Sequence, residues 1–290
     1  MHPIAEKYLR KSALPMIFCP GCGHGTVLNA FLRAVDDLGI IDDLSLVGGI
    51  GCSSWAPVFV NTDVLHTLHG RAIAVATGLK LAQPRRHVVV FTGDGDCIGI
   101  GGNHFMHAAR RNIDLTVILL DNNIYGMTGG QVSPTTPLGT RTTTTPYLNL
   151  EHPFKIADVV AAAGGSYVAR WTTYHAFQLM ESMQNAIHKK GFSFVEIISQ
   201  CPVSYGKMTG TSDPVTLLEQ LRDASIHVDD TKGMSEEDLE GKFVVGKLVE
   251  RQRAEFGDGL RRLVAERRDS LSAELELGLR QDTSALETGR

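Results

Sequence analysis

No apolar run in this sequence is long enough to span a bilayer, and its charged N-terminus lacks the apolar core of a secretory signal. Membrane residence and export are therefore not expected, and a cytoplasmic location is. Basic charge is in no surplus either: 28 Lys and Arg stand against 32 Asp and Glu, which gives no footprint for nucleic acid. The five cysteines, an odd number without a secretion signal, argue against a disulfide framework and turn attention to metal or redox use. Glutamate is almost missing from the first half, where residues 1–150 contain only Glu6. No internal repeat or low-complexity segment is present.

With 290 residues the chain can bury one large core and carry an extension. Residues 1–210 hold 16 basic and 14 acidic side chains, whereas residues 211–290 hold 12 and 18. The change in character near residue 211 divides a near-neutral body, 1–210, from an acidic extension, 211–290. Three amphipathic helices are expected there, at Pro214–Asp223, Glu236–Phe256 and Leu260–Leu279, either as a solvated surface or as a docking arm for another subunit.

The body is organised around His87–Gln131. The valine-rich run His87–Thr92 reads as a strand buried on both faces. Gly93-Asp94-Gly95-Asp96 breaks it, and helical spacing follows over Ile98–Arg111. A second buried run, Leu115–Leu120, ends in Asp121-Asn122-Asn123. Such a βαβ unit pairs its strands in parallel, so both turns fall at the carboxyl edge, where open α/β sheets bind ligands. The predicted fold is a doubly wound, mainly parallel α/β sheet with a helical C-terminal extension. Asp94, Asn122 and the N–H groups of Gly93 and its neighbours suit a magnesium ion bridging a pyrophosphate. The nucleotide P-loop is excluded because Gly95 is not followed by Lys-Ser/Thr, and the dinucleotide fingerprint because Ile98 stands where its third glycine belongs.

Four cysteines lie outside this unit. Cys19-Pro-Gly-Cys22 forms a CxxC turn before an amphipathic helix over Thr26–Leu38. Cys52 follows the expected strand Leu44–Ile50, with residues 56–69 read as a loop, and Cys201 follows the strand Phe192–Ile198. On this topology all three places share the carboxyl edge, and four thiolates suit a [4Fe–4S] cluster or a tetrahedral zinc ion. Cys97 reads as a small packing residue, His104 and His107 as packing or surface groups, and Arg141 and Lys207 as exposed cations. Gly126–Tyr147, rich in Gly, Thr and Pro, is expected to be a loop shaping the site.

Gly93-Asp94-Gly95, twenty-six residues, then Asn122-Asn123 resembles the diphosphate motif of thiamine diphosphate enzymes. That resemblance implies Mg²⁺ on the side chains of Asp94 and Asn122 and on the Ile124 carbonyl. The ordered segments CPGCGHG, GIGCSS, HGRA, GDGD with DNNIYGMTGGQ, and CPVSYG widen it: residues 12–210 resemble the β subunit of the 2-oxoacid:ferredoxin oxidoreductases. The family implies cofactor contacts at Ile50, Gly51, Cys52, Ser53, His69, Gly95, Asp96, Met127 and Thr128, with His69 as the catalytic candidate. It implies one [4Fe–4S] cluster on Cys19, Cys22, Cys52 and Cys201, electron transfer to ferredoxin, and coenzyme A as co-substrate. Thiamine diphosphate needs a glutamate at its pyrimidine ring, and the scarcity of glutamate here implies that an α subunit supplies it, in an αβ or (αβ)₂ assembly. The GMTGGQ and TRTTTTP segments favour 2-oxoglutarate, with pyruvate or branched-chain 2-oxoacids as alternatives. A zinc-stapled, non-redox diphosphate-binding module and a non-oxidative decarboxylase are the other readings.

Overall fold

Most of the apolar runs in the sequence become strands of one eight-stranded sheet. In chain order these are β1 (Leu44–Gly48), β2 (Asp63–His66), β3 (His87–Gly93), β4 (Thr116–Asp121), β5 (Tyr167–Thr172), β6 (Ser193–Ile198), β7 (Ser225–His227) and β8 (Phe243–Glu250). The structure, a computed structural model, describes residues 2–287, with side chains described through 271. The strand order is β2-β1-β3-β4-β6-β5-β8-β7, parallel throughout except where β8 runs antiparallel to β5.

The helices are α1 (Pro3–Tyr8), α2 (His24–Leu38), α3 (Ala72–Ala82), α4 (Gly102–Arg111), α5 (Ile156–Ala163), α6 (Ala176–His188), the single turn α7 (Lys207–Thr209), α8 (Pro214–Asp223) and α9 (Phe256–Glu287). Alternation along β3 divides the core. Val89 and Phe91 face α2 and α6, while Val88 and Val90 face α3, α4 and α5. Phe105 of α4 packs against Phe192 and Phe194, and Phe31 of α2 meets Phe91 edge-on. With helices on both faces, β1, β4 and β6 are buried at every position.

The connection leaving β1 runs outward to β2, whereas the one leaving β3 runs the other way to β4. That reversal opens a crevice between the carboxyl ends of β1 and β3, where doubly wound sheets take their ligands.

Three expectations are corrected. Residues 56–69 are not simply a loop: Ser53–Phe59 is a 3₁₀ segment and β2 an edge strand, too short and too exposed to leave an alternating pattern. Glu236–Phe256 is not a helix, because β8 occupies its centre and joins the main sheet. Gly246, at φ +123°, cannot sit in a helix, and the β-branched Val244, Val245 and Val249 favour a strand. The helix expected from Ile98 instead begins as a π-type turn over Gly95–Ile100, and α4 starts at Gly102.

At the opposite, amino edge of the sheet, Asp114 ties the layers together. Lys80 lies 2.8 Å away, Lys190 lies 3.0 Å away, and the Gly191 N–H donates at 3.0 Å. Burial alone would raise the Asp114 carboxyl, but these donors outweigh it and hold it below its ordinary value of 3.8. A depressed folded value contributes stability that is present above the carboxylate range and lost as pH falls through it. Asp114→Asn is expected to cost roughly 1–3 kcal/mol at neutral pH and to flatten the acid limb of stability. Urea titrations at pH 7 and in the acid range check this, and equal acid losses in both proteins would contradict it.

Candidate functional site

The crevice holds a cavity of about 160 Å³. Ile50, Gly51, Cys52 and Ser53 reach it from the end of β1, and His69 from the turn after β2. Gly93, Asp94, Gly95 and Asp96 come from the end of β3, and Asn122, Ile124, Met127 and Thr128 from beyond β4. Every residue expected to contact the cofactor or magnesium thus lines one cavity. His24, Leu120, Tyr125 and Gly126, to which the sequence assigned no cofactor contact, also line it.

Local geometry explains the glycines. A Cβ on Gly95 would enter the Tyr125 ring, and one on Gly49 would enter the Asp96 carboxylate. After β4 the chain turns on its own side chains. Asp121 accepts the Asn123 N–H at 3.0 Å, and the Asn122 amide oxygen accepts the Ile124 N–H at 3.3 Å. Asn123 takes φ +61°, which asparagine tolerates better than most residues.

Asp94 and Asp121 are both 4 % exposed. Between them lies the Thr135 hydroxyl, 2.7 Å from Asp94 Oδ2 and 2.7 Å from Asp121 Oδ1. One hydroxyl has one proton to donate, so it satisfies one of the two contacts. Burial pushes the Asp94 carboxyl up, and burial with the charges of Asp94 and Glu196 pushes Asp121 well up. Such a pair calls for a positive charge. A hard cation on Asp94 and the Asn122 oxygen would supply one, and these oxygen donors fit Mg²⁺.

The four cysteines expected to act together also meet at this edge. Burial, with the neighbouring Cys201, Cys52 and Cys19, pushes the Cys22 thiol up to about 12. Burial, with Cys201 and Cys19, pushes Cys52 up to about 11. All four are free thiols, and Cys19 is exposed. Soft sulfur donors from the CxxC turn, β1 and β6 fit an iron–sulfur cluster. Cys97 is buried at 1 % exposure among apolar neighbours, as expected of packing. His24, also buried, lies 3.3 Å from Ser199 Oγ and packs edge-on against Phe18. Arg141 and Lys207 are exposed.

The thiamine pyrophosphate enzyme family, C-terminal TPP binding domain, matches residues 49–197, the span that carries the cavity. The chain is 54 % identical over 265 residues to the 2-oxoglutarate synthase subunit KorB of Methanocaldococcus jannaschii, covering 91 % of this chain and 98 % of that one. It is 50 % identical to the subunit of the same name from Methanothermobacter marburgensis, over 90 % and 92 % of the two chains. The chain belongs to the β-subunit family of the 2-oxoglutarate:ferredoxin oxidoreductases. Among solved structures, the 2-oxoglutarate:ferredoxin oxidoreductase from Magnetococcus marinus, with 2-oxoglutarate, coenzyme A and succinyl-CoA bound, superposes with a TM-score of 0.81. Identity is 36 %, over 92 % of this chain and 90 % of that one. Among the described residues no helix is long and apolar enough to cross a membrane.

Thr135 is the functional residue that sequence reasoning left unnamed within the loop it flagged. The signal was available only in three dimensions, because Thr135 lies 41 residues from Asp94. Thr135→Val is expected to cost about 1–3 kcal/mol in metal-free buffer, where two buried carboxylates lose their shared donor. Saturating Mg²⁺ should recover part of it. Urea denaturation with and without Mg²⁺ checks this, and a loss independent of the cation would contradict it.

Proposed function

We propose that this chain is the diphosphate-binding, electron-accepting half of an enzyme that oxidatively decarboxylates 2-oxoglutarate to succinyl-CoA. The observation that carries the reading is a convergence: Asp94 and Asn122 share a cavity with Cys52, beside the other three thiols, and no glutamate lines that cavity. Identity to two 2-oxoglutarate synthase subunits supports the choice of substrate over pyruvate or branched-chain 2-oxoacids.

Each residue then has a task. Asp94, Asn122 and the Ile124 carbonyl would hold Mg²⁺ against the diphosphate, and the glycine-rich turns leave room for backbone N–H groups to approach it. Thiamine diphosphate, when bound, supplies the carbanion-stabilising ring that lets a 2-oxoacid lose CO₂. Ile50, Gly51, Ser53, Met127 and Thr128 would shape the cavity around it, with His69 as the polar group facing its contents. Cys19, Cys22, Cys52 and Cys201 would hold one [4Fe–4S] cluster, which supplies a one-electron path outward. A structural zinc ion would need its sulfurs about 3.8 Å apart, from a 2.3 Å bond and tetrahedral angles. The zinc and iron content of the purified complex separates that reading from a cluster.

No glutamate lines the cavity, and an α subunit would bring the one that the pyrimidine ring requires, in an αβ or (αβ)₂ assembly. Residues 1–210 carry the site. The segment 211–290 serves docking, with Leu260, Leu263, Val264 and Leu271 exposed along α9. Ferredoxin in the cytoplasm receives the electrons, and coenzyme A the acyl group.

The test is anaerobic co-purification with the partner, followed by viologen reduction with 2-oxoglutarate, pyruvate and branched-chain 2-oxoacids. The expected complex is brown, prefers 2-oxoglutarate, depends on coenzyme A and loses its colour and activity with Cys22→Ser. A colourless, zinc-containing complex, or CO₂ release without viologen reduction, would overturn the redox reading.

A further inference from the structure

His69 and Asp96 form a pair. His69 Nδ1 lies 2.6 Å from Asp96 Oδ1, and Asp96 is 3 % exposed. The same oxygen accepts the Gly70 N–H at 2.8 Å and the Ile50 N–H at 3.1 Å, while Oδ2 accepts the Thr92 hydroxyl at 2.7 Å. Four donors from three segments therefore converge on one carboxylate. Protein donors thus crowd Oδ1 and engage Oδ2, although the position of Asp96 beside Asp94 suggests a cofactor ligand.

A carboxylate accepts and does not donate, so it fixes a proton on His69 Nδ1. Nε2 has no partner among the described residues, and the ring lines the cavity. The Tyr125 ring meets the imidazole edge-on, with centroids 6.2 Å apart, and limits its swing on that side. Tyr125 is itself held by the Gly95 carbonyl, which accepts its hydroxyl at 3.2 Å. In its uncharged form, an imidazole held in this tautomer presents Nε2 as a hydrogen-bond acceptor.

We propose that Asp96 is a positioning residue that acts through His69: it sets the tautomer and angle at which Nε2 accepts an N–H, O–H or S–H group of the bound ligand. It also clamps the Ile50 and Gly70 turns to the end of β3. The proposal rests on the reading of His69 as the cavity's polar group. It differs from a contact between Asp96 and the cofactor, because such a contact would act whether or not His69 is present.

A double-mutant cycle between Asp96→Asn and His69→Gln in the assembled enzyme separates the two. It reads kcat and the Kd for thiamine diphosphate, with Tm recorded for each variant. Asp96→Asn is expected to lower kcat about 10–100-fold, the scale on which lost orientation of a functional imidazole is felt. In the His69→Gln background the same change is expected to cost less than about twofold, the signature of residues acting as one unit. Equal losses in both backgrounds, or no loss in the single variant, would overturn the proposal. Should Asp96→Asn fail to assemble, Thr92→Val keeps the charge but frees Oδ2, and the same coupling to His69 is expected; its absence overturns the proposal. The Kd cycle needs no turnover, so a complex that binds thiamine diphosphate but oxidises no 2-oxoacid sinks the proposed function and still tests the pair.

Discussion

Buried negative charge is the constraint on which this architecture turns. Asp94, Asp96, Asp121 and Glu196 are each at most 4 % exposed, and a carboxylate out of water must be paired, hydrogen-bonded or protonated. Each is answered differently. Arg170, across the β5–β6 pair, lies 2.7 Å from Glu196. Asp96 is satisfied by four donors. Asp94 and Asp121 share the Thr135 hydroxyl, which can donate to only one of them, and although Asp121 also accepts the Asn123 N–H, burial still pushes both carboxyls up; a divalent cation at Asp94 would offset that charge. Of these four carboxylates, Asp94 and Asp121 are the two that the protein's own groups leave raised by burial.

The sheet makes that pair useful. Because β3 and β4 are parallel neighbours, Asp94 and Asn122 emerge side by side. Because the connections of β1 and β3 diverge, the crevice beside them is open, and Cys52 enters it from the third strand. Asp94, Asn122 and Cys52 therefore share one wall, to which the loop beginning at Gly126 adds Met127 and Thr128 but no cysteine. That loop also closes over the carboxylates through Thr135 and Thr136, the latter donating to the Asn123 carbonyl at 2.6 Å.

Much of this was legible in the sequence because the decisive residues sit at strand ends, which runs of Val and Ile mark clearly. The turns after β3 and β4 and the cysteines after β1 and β6 needed only the parallel topology to be brought together. Thr135, Tyr125 and Asp96's role as an internal anchor were not legible, since their partners lie in other segments and no local pattern records them. Strand β8 escaped for another reason. Charged neighbours such as Lys247 and Glu250 resemble a solvated helix, and only Gly246 and the valines argued otherwise. Edge strand β2 carries too little burial to be seen at all.

The central claim is that this chain grips the diphosphate end of its cofactor and leaves the other end to a partner. Calorimetric titration of Mg²⁺–thiamine diphosphate and Mg²⁺–pyrophosphate, into the chain alone and into the assembled enzyme, tests it most directly. The account predicts that the isolated chain binds the two with similar affinity. The assembly should prefer thiamine diphosphate by at least about tenfold, or about 1.4 kcal/mol. An isolated chain that already discriminates as strongly as the assembly would contradict it.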